Sequence, residues 1–200
     1  MATIVFIGAH NDDAEIWAGG TLLKHIKNSD VVLNIVRRAG DGAREAEQAA
    51  ADLISGFQTA YYTTEEELRT LLLDVIPDVL ITHWDGDSHP DHRYVSRDAL
   101  NSIKECRMKF KKPGIFLFCN TYNGLGYKEA FVPTEYIDIS EVNEKKREVI
   151  RNFTSQKPDY WILKNELITR LFGSRCQCDH AEGFMRFSML GSACPNDLLT

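Results

Sequence analysis

Short uninterrupted runs of apolar residues recur along the chain, and each has the length of a buried β-strand rather than a helix. The first run, Thr3-Ile4-Val5-Phe6-Ile7, is followed at once by a glycine. The runs predict five strands, at residues 3–7, 31–36, 79–82, 115–119 and 136–139.

Between these runs, apolar residues recur at the three- and four-residue spacing of an amphipathic helix. Local signals mark several helix starts: Thr64 precedes three glutamates, Pro90 suits a first helical position, and Ser140 with Glu144 approximates a capping box. The pattern predicts helices at residues 15–26, 43–54, 65–75, 90–102 and 141–152.

Strands and helices alternate through the first half of the chain, which is typical of a parallel sheet with right-handed crossovers. We therefore predict an α/β fold, a Rossmann-like three-layer sandwich with a mostly parallel sheet. A length of 200 residues suits one well-buried core, so we predict a single domain over residues 1–200. In such a sheet the active site lies outside the carboxyl ends of the strands.

The composition and net charge of the chain restrict the kinds of partner that it can bind. A net charge of −6, a pI near 5.5 and the lack of a basic stripe argue against binding to nucleic acid or to an anionic membrane. The N-terminal apolar run has no charged residues before it and is too short for a signal peptide or a membrane span. We therefore expect a cytoplasmic protein.

The chain has five cysteines, and an odd number fits a reducing compartment better than a disulfide framework. Cys176 and Cys178, together with His180, allow two interpretations, a second metal site or a loop with free thiols. Structural zinc usually takes four ligands at a different cysteine spacing, which favours the free thiols. The other cysteines are expected to be packing residues: Cys106, Cys119 and Cys194.

Two clusters of acid and histidine residues follow predicted strands. His10-Asn11-Asp12-Asp13 follows the first strand, and His89-Pro90-Asp91-His92 lies a few residues beyond the run at 79–82. Because the carboxyl ends of parallel strands gather along one edge of a sheet, the two clusters can meet in space. Two histidines and one aspartate with an open position are a common ligand set for hydrolytic zinc. The remaining acid and imidazole are then candidates for a general base and a general acid.

Each cluster also has an ordinary structural interpretation. The Asn-Asp-Asp segment at 11–13 suits the cap of a following helix, and the Ser-His-Pro-Asp segment at 88–91 is typical of a surface turn. Glu15 is expected in the first turn of a helix rather than as a ligand. Two such clusters at two strand ends favour a metal site, in which Asp91 orients an imidazole from behind.

Further motifs surround the clusters. They are Ala9-His10-x-Asp12-Asp13-Ala14-Glu15, Gly19-Gly20-Thr21-Leu22, Arg44-x-x-Glu47, Tyr136-Ile137-Asp138-Ile139-Ser140, Ser155-Gln156 and Ala181-Glu182-Gly183-Phe184. With His89-Pro90-Asp91-His92, they make the sequence resemble the PIG-L (LmbE-like) N-deacetylases over nearly its whole length. The two histidine motifs in this order are specific, whereas Arg44-x-x-Glu47 alone would be weak. The resemblance implies a zinc enzyme, often a homo-oligomer, that removes acetyl groups from N-acetylglucosamine-type conjugates and related small amides.

The resemblance also implies roles for individual residues. One Zn²⁺ per chain is bound by His10, Asp13 and His92, with Asp12 as the general base and His89 as the acid or the oxyanion partner. The family usually has proline where this chain has Asn11. An asparagine can hold a turn through its own side chain, so we expect this departure to affect substrate range more than activity.

Three residues are candidate substrate contacts, each weakly indicated. Arg44 contacts a substrate hydroxyl or phosphate, or else is a solvated helix residue. Trp84 stacks on a sugar face, or else packs in the interior. His180 lies just before the motif at 181–184, and the loop at 120–126 is expected to border the site.

The function that these observations favour is hydrolysis of an N-acetyl group on an amino sugar. The alternative is a catalytically silent protein of the same fold that keeps the metal as a structural or ligand-recognition element. A metal phosphoesterase is favoured less, because such sites commonly hold two metals and more bridging carboxylates. His25 and His83 are given no role.

Overall fold

A seven-stranded sheet forms the centre of the molecule, which is seen here in a computed structural model that describes residues 1–38 and 40–188. The strand order is β3-β2-β1-β4-β5-β7-β6. The first five strands in that order are parallel, and β7 is antiparallel to both β5 and β6. The strands are β1 (Thr3–Gly8), β2 (Val31–Arg37), β3 (Gln58–Tyr62), β4 (Val79–His83), β5 (Ile115–Cys119), β6 (Glu135–Asp138) and β7 (Ala181–Arg186).

Helices cover both faces of this sheet. They are α1 (Asp13–Trp17), α2 (Gly19–Lys27), α3 (Gly42–Ser55), α4 (Glu65–Val75), α5 (Pro90–Phe110), α6 (Asn143–Ile150) and α7 (Pro158–Cys176). Ile4 and Phe6 of β1 point into one core with α1 and α2, while Val5 and Ile7 point into a second core with α4 and α5. This alternation is the period-two geometry of a strand buried on both faces, and it confirms the predicted three-layer α/β fold. No helix in the described part of the chain combines the length and the apolar character that a bilayer span requires.

The five predicted strands are present, with ends that differ by at most one residue. The structure also contains β3, α7 and β7, which the apolar pattern did not predict. The helix starting at Pro90 continues to Phe110, well past the predicted end at residue 102. Ser140 does not cap a helix through its side chain, because a 3₁₀ turn, Ser140–Val142, comes between it and α6.

The predicted helix at 15–26 is two helices, α1 and α2, that meet at Ala18. A contact from a distant part of the chain accompanies the break. A Cβ atom on Gly20 would lie 2.7 Å from the Cβ of Ile139, so only glycine allows this approach.

A buried ion pair holds the start of α2 in place. Lys146 and Glu182 are almost fully buried, with 2.8 Å between Nζ and Oε1. The Glu182 carboxylate also accepts hydrogen bonds from the backbone N–H groups of Gly20 and Thr21, both at 2.8 Å. Lys146 donates a further bond of 2.9 Å to the carbonyl oxygen of Ile16. One pair therefore fixes the junction between α1 and α2, directly behind the carboxyl end of β1.

Candidate active site

The first half of the site is the tight loop between β1 and α1. Asp13 is the first residue of α1, and its Oδ2 accepts hydrogen bonds from the backbone N–H groups of Ala9 (3.0 Å) and His10 (2.8 Å). These bonds pull the carboxylate back over the loop and bring the His10 ring beside it, with 3.5 Å between Nδ1 and Oδ2. The local sequence therefore folds His10 and Asp13 towards one point.

The second half lies at the carboxyl end of β4 and the start of α5. His83 is the last residue of β4, His89 precedes the first turn of α5, and His92 lies in that turn. His92 has no solvent exposure, and its Nδ1 is 2.8 Å from Oδ2 of Asp87. Its other ring nitrogen, Nε2, faces Oδ1 of Asp13 at 3.5 Å and has no hydrogen-bond partner.

The residues fit a zinc ion. Ligand atoms of His10, Asp13 and His92 all lie within 4.8 Å of one another. Zn–N and Zn–O bonds of about 2.0–2.2 Å place neighbouring tetrahedral ligands roughly 3.4 Å apart, close to the two distances of 3.5 Å above. A buried nitrogen without a partner is rare, and a cation between His92 and Asp13 would satisfy it.

The charge around His92 also favours a cation. Burial alone lowers the pKa of this imidazole, but the carboxylates of Asp13 and Asp87 outweigh that effect and raise the pKa to about 10. The two acids approach opposite ring nitrogens, which is the carboxylate–histidine arrangement seen behind metal-bound histidines. An environment that stabilises a proton on His92 can stabilise a metal ion in its place.

Two of the supporting groups have roles that the sequence did not reveal. Asp87 is the partner of His92, and Asp91, which was expected to orient an imidazole, lies 3.3 Å from Nε2 of His10 and is 57% exposed. His83, to which no role was given, has its Nε2 2.9 Å from Asp13 and its ring stacked 3.7 Å from that of His92. Burial, together with the nearby His92, lowers the pKa of His83 to about 4, so its neutral ring donates to Asp13. The position of His83 at a strand end was the available signal.

Asp12 lies beside the candidate metal ligands and also lines the cavity described below. It precedes α1, yet its side chain makes no capping hydrogen bond, so the structural alternative for this residue is not supported. Its Oδ1 instead lies 3.1 Å from Nη2 of Arg44, which also donates a bond of 2.7 Å to the carbonyl oxygen of Asn11. Burial and the adjacent Asp13 raise the pKa of Asp12 well above its usual range, against the effect of Arg44. Arg44 is thus not a solvated helix residue, because its Nη2 holds the carboxylate of Asp12.

The backbone at Asp12 is in a conformation that residues with a side chain rarely adopt. Its φ is 106° and its ψ is −21°. Most L residues avoid positive φ because the Cβ atom clashes with the backbone. The conformation turns the chain sharply between β1 and α1, and the strain is concentrated at one of the two predicted catalytic residues.

A cavity of about 170 Å³ opens beside these groups. Its lining combines polar side chains, among them Asp12, Arg44 and Gln156, with aromatic rings. The lining consists of His10, Asp12, Asp13, Ile16, Trp17, Arg44, His89, Tyr122, Gln156 and Trp161. Tyr122 comes from the loop at 120–126 that was expected to border the site, while Trp17, Gln156 and Trp161 were not predicted.

Gln156 is held in the cavity wall by Glu47. The carboxylate of Glu47 accepts bonds from the hydroxyl of Thr154 (2.8 Å) and from the N–H (2.8 Å) and hydroxyl (2.7 Å) of Ser155. These bonds fasten the 3₁₀ turn Thr154–Gln156 to α3, the helix that also carries Arg44. The Arg44-x-x-Glu47 motif therefore supports the site with both of its charged residues.

Two of the candidate substrate contacts lie elsewhere. Trp84 is 2% exposed and packs edge-on against Phe131 in the core, which matches the packing alternative and corrects the sugar-stacking one. His180 is also corrected, because its ring lies 3.1 Å from the hydroxyl of Thr169 on α7 and is not part of the cavity lining.

The cysteines follow the free-thiol interpretation. The sulfur atoms of Cys176 and Cys178 are 3.5 Å apart without a bond, and neither belongs to a metal-competent group among the described residues. Cys106 and Cys119 are buried, whereas Cys194 lies outside the described residues.

The fold and the site together describe a Rossmann-like α/β protein with a candidate His/Asp metal-ligand set at the ends of β1 and β4. No protein-family profile matches the sequence. Among solved structures, the N,N'-diacetylchitobiose deacetylase from Pyrococcus horikoshii superposes with a TM-score of 0.72 at 19% identity, over 93% of this chain and 84% of that one. The zinc-inhibited form of a teicoplanin deacetylase gives a TM-score of 0.72 at 13% identity, over 93% and 99%.

A further solved structure is the 4-carboxy-2-hydroxymuconate hydratase from Pseudomonas putida KT2440. It superposes with a TM-score of 0.79 at 16% identity and covers 98% of this chain and 100% of its own. At these levels of identity the likeness establishes the shared fold.

Proposed function

We propose that this protein is a zinc-dependent hydrolase that removes the N-acetyl group from an amino sugar or a related small amide. The proposal depends on the convergence of His10, Asp13 and His92, whose buried Nε2 has no hydrogen-bond partner. Beside them lies the carboxylate of Asp12, which makes no capping hydrogen bond to the following helix. The deacetylases that share the fold, one of which acts on an N-acetylated chitobiose by its name, support this choice.

His10, Asp13 and His92 would hold the metal. A zinc ion bound there supplies Lewis acidity, which polarises the amide carbonyl and lowers the pKa of water. Asp12 accepts the proton of the attacking water, since its carboxylate lies at the cavity surface and Arg44 orients it.

His89 acts on the carbonyl oxygen or the leaving amine, whereas Asp12 acts on the attacking water. Its Nδ1 accepts a hydrogen bond of 3.2 Å from the N–H of Asp91, so the neutral ring carries its proton on Nε2. Burial, with the nearby imidazoles of His92 and His10, lowers the pKa of His89 and favours that neutral form. His89 therefore donates a hydrogen bond to the developing oxyanion or passes a proton to the leaving amine.

The cavity offers few groups beyond the proposed metal that could bind an anionic substrate. Among the described residues that line it, Arg44 is the only lysine or arginine, and its Nη2 already contacts Asp12 and Asn11. Metal phosphoesterases commonly hold two metals and more bridging carboxylates, whereas Asp13 is the only carboxylate in the predicted ligand set. This argues against the phosphoesterase alternative.

Acetate release from a panel of N-acetylglucosamine, N,N'-diacetylchitobiose and an N-acetylated peptide tests the proposal. We expect the zinc-loaded protein to act on the sugars and not on the peptide, and we expect a chelator to abolish the activity. Zinc-loaded protein that binds the sugars but releases no acetate would instead indicate the silent binding protein. Cytoplasmic location and self-association stay predictions.

The Asp12→Asn variant separates the enzyme from the silent binder. Asparagine keeps the size and much of the hydrogen bonding but removes the base, so we expect turnover to fall by about 10²–10⁴-fold while zinc content is retained. Asp85→Asn, a change in the exposed loop after β4, is the matched control and should leave turnover unchanged. An Asp12→Asn protein with normal zinc and normal turnover would contradict the proposed mechanism.

A second candidate function follows from the hydratase that superposes over the full length of both chains. The same residues that activate water for an amide could activate it for a carbon–carbon double bond. The substrate of that hydratase carries a carboxylate by its name, and Arg44, the only lysine or arginine among the described residues that line this cavity, already contacts Asp12 through Nη2. Loss of the ultraviolet absorbance of an unsaturated carboxylate, without acetate release from any amide, would favour this alternative.

A further inference from the structure

Three aromatic rings form one continuous wall of the active-site cavity. The ring centroids of Trp17 and Tyr122 are 5.4 Å apart, those of Tyr122 and Trp161 are 5.4 Å apart, and those of Trp17 and Trp161 are 5.8 Å apart. The rings meet at steep angles, so each is braced by the other two. We call this set the aromatic wall.

The aromatic wall begins at the groups that act on the amide. The ring of Tyr122 lies almost parallel to that of His92, at 5.5 Å and 15°, and to that of His89, at 6.0 Å and 28°. Trp161 is one ring further out. A substrate whose amide reaches His89 would therefore lay the group attached to its nitrogen along Tyr122 and Trp161.

Simple core packing does not account for the whole wall. Trp17 is 6% exposed and its indole N–H lies 3.3 Å from Oδ1 of Asp13, so it serves as a backing for the other rings. Tyr122 and Trp161 are only half-buried, and both line the cavity. Trp84, by contrast, is enclosed in the core.

The cavity lining also contains polar side chains. Arg44 and Gln156 are two of them, and the turn that carries Gln156 is held by Glu47. A ligand in this cavity must therefore offer an apolar face to the rings and hydrogen-bonding groups to the polar side chains. A pyranose ring has this character, because its C–H groups form flat apolar faces and its hydroxyls project from the edge.

We infer that Tyr122 and Trp161, backed by Trp17, are the platform that recognises a neutral pyranose ring bonded directly to the amide nitrogen. The inference rests on the proposed function and narrows it, since it selects hexosamine-type amides over acyclic ones. Trp161 contributes binding rather than chemistry, because it lies one ring further from His89 than Tyr122 does.

Steady-state kinetics of Trp161→Ala test the platform. We expect KM for N-acetylglucosamine to rise about three- to tenfold with little change in kcat, as the loss of one stacking ring predicts. KM for the acyclic amide N-acetylethanolamine should not change, and Trp161→Phe should recover most of the sugar affinity. Leu163→Ala, an exposed change on the same helix, is the control for the integrity of α7. Equal KM values for the sugar in Trp161→Ala and the parent would overturn the inference.

Tryptophan fluorescence gives a readout that needs no turnover. The chain has three tryptophans, at positions 17, 84 and 161. We expect N-acetylglucosamine added to metal-free protein to change the emission of the parent and of Trp84→Phe, and to change that of Trp161→Phe much less. An unaltered response in Trp161→Phe, or no response in the parent, would overturn the platform. If the sugar alters Trp161 emission but no amide is hydrolysed, the proposed reaction fails and the platform stands.

Discussion

The carboxylate of Asp13 is the point at which the two halves of the site join. Oδ2 is held by two backbone N–H groups of its own loop and by His83 from β4, and Oδ1 faces His92 from α5. The neighbouring residue, Asp12, has no such support, and in the described chain its carboxylate forms an ion pair with Arg44 alone. Two adjacent aspartates thus have different environments, which suits one to a metal and the other to a proton.

At the scale of single residues, we predict that Asp13→Ala and His92→Ala each lower the zinc content from one ion per chain to well below one. Three protein ligands leave no redundancy, so the loss of either weakens binding strongly. Elemental analysis of dialysed protein measures this directly. His25→Ala is the control, since His25 pairs with Asp30 at the far end of α2. Full zinc occupancy in either ligand variant would show that the assignment is wrong.

At the scale of elements, local signals located some boundaries and long-range contacts set others. The helix α4 begins and ends where the sequence predicted, because Thr64 and Glu67 form a capping box within one turn. The break between α1 and α2 depends on Ile139 and Glu182, which no local pattern could connect to Gly20. Tertiary packing decides such junctions, because it overrides the intrinsic helix propensity of the segment.

Parts of the site were likewise predictable from local motifs, whereas other parts depend on long-range contacts. The proximity of the two histidine motifs was predictable because they follow strands whose carboxyl ends meet, whereas the choice of His10, Asp13 and His92 as ligands came from the family resemblance. The rings of the aromatic wall come from α1, from the loop after β5 and from α7, and α7 itself was not predicted. No spacing along the chain could have indicated that these rings touch.

Two carboxylates fasten the start of β1 to its neighbours and lead to a prediction about pH. Asp30 accepts a bond of 2.7 Å from the N–H of Ala2, and Asp78 accepts one of 2.9 Å from the N–H of Thr3. Burial raises the pKa of each acid, but these bonds, with His25 beside Asp30 and Lys112 beside Asp78, lower the pKa below its usual range.

Since the folded pKa of each acid is lower than the unfolded value of about 3.9, both carboxylates stabilise the fold above that value. This stabilisation is lost as the pH falls through the folded pKa. We therefore expect the Asp30→Asn/Asp78→Asn protein to lose less of its free energy of unfolding between about pH 5 and pH 2 than the parent does. Urea denaturation across this range measures it, with Asp85→Asn as the control. An identical pH dependence in the double variant and the parent would contradict the role of these acids.

At the scale of the whole molecule, the Lys146–Glu182 pair connects α6 and β7 to the first helices of the chain. Truncation of one member leaves the other charge buried without its partner. We expect Lys146→Ala to lower the free energy of unfolding by about 3–5 kcal/mol.

The adjacent residue supplies a matched control. Lys145 is exposed and pairs with Glu148 on the surface, so Lys145→Ala should cost less than about 1 kcal/mol. Chemical denaturation of the two variants side by side makes the comparison. Similar losses in both would mean that the buried pair does not hold the first and last parts of the chain together.

The positive φ of Asp12 has a consequence for how this protein can evolve. A strained backbone of this kind costs roughly 1–3 kcal/mol, and glycine largely avoids that cost. We expect Asp12→Gly to melt at a higher temperature than Asp12→Ala by scanning calorimetry, although both lack the carboxylate; equal melting temperatures would argue against strain. Selection for a robust fold alone would therefore favour glycine at this position, and the proposed role of Asp12 as general base would be the selective pressure that keeps an aspartate.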